Sequence, residues 1–158
     1  MTNRILEGCA LLVLGLAAIQ TVAYAQETPG LEGVWFADVT AIDCQTGAVL
    51  ANVPPFRGLY LFNHDGSLTN EAAFLVPSPR RSSGLGAWRH TEAQRYTSTF
   101  RFFRFNPDGS FMAMRRVTST IMLNRDQFIS IDKFQDFDAN NNPIPSTGCN
   151  VVTATRVP

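Results

Sequence analysis

The chain has 158 residues, and its 13 basic and 13 acidic side chains leave no net charge at neutral pH. A chain without excess positive charge sets up no field for phosphates, which excludes nucleic acid as an expected partner. The length left after residues 1–25 suits one domain.

The N-terminus reads as an export signal. Met1-Thr2-Asn3-Arg4 carries a positive charge, residues 10–19 form an uncharged apolar run, and Ala23-Tyr24-Ala25 is a small-x-small cleavage site. The run is too short to span a bilayer. Leu6-Glu7-Gly8-Cys9 approximates a lipoprotein box but precedes the apolar run instead of following it, so Cys9 leaves with the signal. The expected organisation is a cleaved signal peptide over 1–25 and one domain over 26–158, periplasmic or extracellular. No membrane span is expected in the mature chain. Cys44 and Cys149 then remain, and an even pair in an oxidising compartment predicts a disulfide. No metal site is expected, because two thiolates without a nearby His or further Cys do not make a zinc site.

Eight strands are predicted in chain order: 33–43, 57–63, 67–76, 86–92, 95–105, 110–123, 127–137 and 144–157. Residues 77–84, with two prolines and two serines, read as a mobile loop. The arms 95–105 and 110–123 are rich in aromatic and β-branched residues and flank Asn106-Pro107-Asp108-Gly109, the signature of a long hairpin. Arms of that length, about 35–45 Å, suit tilted barrel strands. Phe62-Asn63-His64-Asp65-Gly66-Ser67 and Phe105-Asn106-Pro107-Asp108-Gly109-Ser110 repeat one pattern, which a reused turn explains. Past the signal no window shows helical periodicity, so the fold class is all-β, with sequential strands forming an antiparallel up-and-down meander.

Gly33-x-Trp35 opens the first strand and Arg156 lies near the end of the last. This pattern resembles that of the calycins, which include lipocalins and avidin-like barrels. The motifs of lipocalins proper at the central loops are not evident, so the likeness is to a small exported bacterial family of calycin type. The resemblance implies an eight-stranded barrel in which Trp35 plugs one end and Arg156 packs across it. The cysteines agree independently. An antiparallel pairing of the first and last strands that sets Cys44 opposite Cys149 makes Trp35 and Arg156 diagonal neighbours, with the cysteines on the other face, outside the barrel.

Motifs for chemistry are sparse. His64 sits in a turn, His90 has no identifiable catalytic partner, and no serine lies in a nucleophile elbow, so no catalytic residue and no cofactor is expected. Residues 136–147 place oxygen side chains as a calcium loop does at its start, but Asn141 and Thr147 stand where glycine and glutamate belong, and a polar turn is the better reading. The lumen is the remaining candidate. Aromatics fall on both faces of 95–105, so either some line the interior or a partner covers the outside. The expected lining is Trp88, Tyr96, Phe102 and Met114, with Arg115 or Arg116 as polar anchor. The expected function is non-catalytic binding of a small apolar or amphipathic molecule by a monomer or homodimer. One alternative is a barrel enzyme of the allene-oxide-cyclase or dirigent type, which predicts an inward polar group such as Glu71, Glu92 or His90. The other is a structural or inhibitory module with a filled lumen and an exposed aromatic patch.

Overall fold

The computed structural model describes residues 30–73 and 80–158. The expected signal peptide lies outside the described residues, as do residues 77–79 of the expected loop. The strands are β1 (Gly33–Ile42), β2 (Phe56–Phe62), β3 (Ser67–Ala73), β4 (Arg80–Arg81), β5 (Gly84–Glu92), β6 (Arg95–Phe105), β7 (Phe111–Asn124), β8 (Gln127–Phe137) and β9 (Pro143–Arg156). Each pairs antiparallel with its neighbour, β1 pairs with both β2 and β9, and β6 pairs with β7, so the sheet closes into an eight-stranded meander barrel. Closure pairs β1 with β9, so neither the first nor the last strand is an edge. The short β4 pairs with Arg104 and Phe105 of β6, just beyond the residues 95–101 that pair with β5, and acts as the leading segment of β5. Two residues of the expected loop are therefore paired strand, because Ser82 N–H donates to Phe103 O at 2.9 Å and carries the ladder across the gap.

Alternation fills the barrel. On β1, Trp35, Ala37 and Val39 are buried while Val34 and Phe36 are exposed, as a strand with one solvated face requires. The connections split the barrel into two ends. Turns at 63–66, 93–94 and 125–126 lie at one, together with residues 30–32. The longer segments 43–55 and 106–110 and the turn 138–142 lie at the other.

The first end is plugged. Trp35 is fully buried, its Nε1 donates to Leu31 O at 2.9 Å, and its ring lies 5.0 Å from that of Phe128. The Arg156 guanidinium stacks over the indole at 4.3 Å. It also donates to the carbonyls of Glu32 and Gly30 and to Asp126 Oδ1. Gly33 has φ 115°, and a Cβ there would stand 3.0 Å from Arg156 Nη1, so a side chain would be strained and crowded at once.

The register differs in detail from the expectation. Trp35 pairs directly with Arg156, and Cys149 pairs with Ile42. Cys44 lies just beyond β1, where residues 43–46 turn around Asp43, whose Oδ1 accepts from Gln45 N–H, Thr46 N–H and Thr46 O–H. From there it reaches Cys149 in a disulfide with Cα atoms 5.2 Å apart. The repeated motif builds one turn twice. Asn63 and Asn106 each donate from Nδ2 to Ser67 and Ser110 Oγ at 2.9 Å, and Gly66 and Gly109 take φ values of 83° and 87°.

Two stability outcomes follow. Trp35→Ala should cost about 4 kcal/mol by opening a cavity in the plug, read as a lower urea midpoint. The double variant Cys44→Ser/Cys149→Ser should lose about 2–4 kcal/mol, because it frees a loop of 105 residues in the unfolded chain.

Candidate functional site

Between the plug and the open end lies a cavity of about 460 Å³. Its walls are Val39, Phe56, Tyr60, Phe100, Phe102, Val117 and Phe134, and Leu50, Val53, Pro54 and Pro55 of segment 43–55 cover one side. Phe134 fits because residue 148 is glycine: a Cβ there would meet the Phe134 ring at 2.4 Å. The mouth opens between segments whose lengths the strands do not constrain, so side chains there need not fill the tube.

Besides Tyr60, six polar side chains interrupt the apolar lining: Asn70, Arg81, Arg115, Asp132, Thr147 and Asn150. Asp132, on the inward row Phe128, Ser130, Asp132, Phe134 of β8, is only 2% exposed. Its Oδ1 accepts from Ser130 Oγ at 2.8 Å, and no cation lies within ion-pair distance among the described residues. Burial pushes its carboxyl up to about 6, against the opposing pull of the Ser119 and Ser130 hydroxyls. Ser119 Oγ nevertheless falls short of hydrogen-bond geometry, and it and its cross-strand neighbour Ser98 have buried hydroxyls without a partner. Tyr60 is buried beside them, and its phenol is raised well above its ordinary value by burial and then by the Asp132 charge.

The arginines sit nearer the mouth. Arg81 stacks on Phe102 at 3.7 Å and donates from Nη2 to Asn70 Oδ1 at 3.0 Å and Asn70 O at 3.2 Å. Burial pushes its guanidinium down to about 10. Arg115 stacks on Phe134 at 3.7 Å and grips Asp136 through two bonds of 2.6 and 2.9 Å. Arg104 and Ser146 hold the same carboxylate at 2.6 and 2.8 Å. Burial raises the Asp136 carboxyl, but these donors and the two guanidinium charges outweigh it and hold it below its ordinary value.

Phe102 and Arg115, both expected lumen residues, face this cavity. Trp88 and Tyr96 do not. Trp88 donates from Nε1 to Asn63 O at 3.0 Å and packs 5.8 Å from Tyr96 and 6.0 Å from Phe62, so both rings fill the plugged half. Met114 points outward, since Ala113, Arg115 and Val117 take the inward positions of β7, and it borders a surface groove with Phe103 and Phe111. Arg116 also faces out, its guanidinium 5.0 Å from the Phe137 ring. Glu71, Glu92 and His90 are all exposed and away from the cavity, His90 at the plugged end with its ring 4.9 Å from Tyr96 and against Ala93 O at 2.6 Å. Asp136, which would begin the calcium loop, is instead committed to the two arginines, and Asp138 binds its own turn through Asn140 and Asn142.

The inward polar group is thus Asp132, a residue the reading of the sequence passed over. One signal pointed to it: Lys133 shares a face with Ile129 and Ile131, and a lysine marks that face as the solvated one. Comparison with known protein families and with curated proteins finds no match to this chain.

Asp132 makes a testable contribution to stability. Its folded carboxyl titrates near 6 against an ordinary 3.8, so the folded barrel holds the proton to higher pH than the unfolded chain does. Its charge therefore destabilises the fold at neutral pH, and the penalty disappears as pH falls from about 6 to about 4. Asp132→Asn should raise stability by about 3 kcal/mol at pH 7.5 and by little at pH 4. Urea unfolding of both proteins across that range reads the difference.

Proposed function

We propose that this chain is an exported barrel of calycin type that binds one small apolar or amphipathic molecule in the open half of its lumen. The observation that carries the reading is the cavity itself. At about 460 Å³ it falls in the range of small-molecule sites, with mostly apolar walls and a few convergent polar groups. Phe102 supplies wall and Arg115 a polar edge. The pairing of Trp35 under Arg156, with Gly33 beside them, supports the calycin likeness. The disulfide and the absence of any membrane-crossing helix among the described residues are consistent with export. A lumen that holds a cavity of about 460 Å³ gives no support to the filled-barrel alternative.

A second reading is favoured by one observation. Asp132 is a buried, unpaired carboxyl in an apolar cavity beside Tyr60, the setting in which a carboxyl serves as acid or base near neutral pH. A barrel enzyme that isomerises or cyclises a confined substrate would use such a group. The two readings part on Asp132→Asn, which preserves binding in both and abolishes turnover only in the second.

The binding reading is tested by thermal-shift screening of the purified domain against medium-chain fatty acids, aromatic acids, flavonoids and sterols, since a ligand of the folded state raises its melting temperature by mass action. At least one class should give a concentration-dependent rise of several degrees. Ala72→Trp, which fills the cavity from β3, should remove that rise while leaving the barrel folded. No rise with any class would overturn the proposal.

A further inference from the structure

The charges around the cavity are unevenly matched. Near the mouth, the three guanidiniums Arg81, Arg104 and Arg115 have one carboxylate in ion-pair contact, Asp136, which two of them already share, and Arg81 feels only the more distant charge of the exposed Glu71. Arg81 is the remainder. Its Nε donates to Ser82 O at 2.9 Å and its Nη2 to the two oxygens of Asn70, all of them neutral. No carboxylate lies within ion-pair distance of it among the described residues. An arginine stays charged even here, so the mouth keeps an excess of positive charge. Stacking on Phe102 and the bonds to Asn70 fix the guanidinium plane, which leaves it preorganised for a planar acceptor.

The opposite charge lies deeper. Asp132 would repel an anion pushed past Tyr60, and between the two charges stand the rings of Phe56, Phe100 and Phe134. Aromatic walls favour an aromatic body through edge and face contacts.

Resting on the binding reading above, we propose that the ligand is a small aryl carboxylate, held with its carboxylate outward on Arg81 and its ring inward among the cavity phenylalanines. The recognition is one charge-assisted contact at the mouth plus apolar burial below it. Arg81 selects the class, and Asp132 sets the direction.

Calorimetric titration with 2-naphthylacetate and with the matched neutral alcohol 2-(2-naphthyl)ethanol tests this. A guanidinium–carboxylate contact should make the acid bind at least about tenfold more tightly than the alcohol to the unaltered protein. Arg81→Gln should erase that preference and leave the alcohol within about twofold, while Arg81→Lys should keep part of it. The comparison of the two compounds on the unaltered protein needs no variant, so a failure of Arg81→Gln to fold does not obscure the answer. Equal binding of acid and alcohol, or an equal loss of both in Arg81→Gln, would overturn the carboxylate inference while leaving the cavity as a binding site. If neither compound binds and the wider panel also gives no thermal shift, the binding reading fails together with it.

Discussion

An indole lying under a guanidinium holds the first and last strands of this barrel together. Trp35 lies near the start of the first strand and Arg156 ends the last, so their stacking and the register that aligns them turn an eight-stranded ribbon into a tube. The contact is more than apolar. Arg156 reaches over the indole to the carbonyls of residues 30 and 32 and so folds that segment across the barrel end, burying Leu31 completely. The backbone groups there would otherwise lie near the core without partners. At the far end of the same seam the Cys44–Cys149 bond ties segment 43–55 to β9. One seam therefore carries the plug at one end and part of the cavity wall at the other.

The plugged half and the open half obey different rules. Below, Trp35, Phe62, Trp88, Tyr96 and Phe128 interlock with ring centroids 5.0 to 6.1 Å apart, as a packed aromatic core does. Above, among the described residues, the lining admits a carboxyl and a guanidinium that make no ion pair, and buried hydroxyls at the boundary lack hydrogen-bond partners. Each departure raises the energy of the folded state. Such departures collect where a protein serves something other than its own stability.

The architecture was legible because it rests on local signals. Alternating aromatic and β-branched runs mark the strands, Asn-x-Asp-Gly-Ser marks two of the turns, and the end-to-end matching of Trp35, Arg156 and the cysteines marks closure. The register was close but displaced by a residue on each strand, since Cys44 lies in a turn and not on β1. The site was harder. On β8 the isoleucines look like the core face, yet Ile129 and Ile131 are 48% and 44% exposed while Ser130 and Asp132 are buried. A period of two separates the faces without saying which is inside. Arg81 was hidden in a Pro- and Ser-rich stretch whose pairing with β6 depends on Ser82 and Phe103, a contact made across the fold. Trp88 and Tyr96 do point inward. Alternation shows that direction but carries no information on height along the barrel, and their height is what assigns them to the plug.

The placement of the two chain ends has a practical side. Residues 30–32 cross the plug, and Val157 N–H donates to Val34 O at 2.8 Å beside it, so both ends of the described barrel emerge at the pole opposite the mouth. Anything joined directly to residue 30 or to residue 158, whether a purification handle, a fluorescent reporter or a surface tether, would hang from the sealed pole and leave the entrance facing outward.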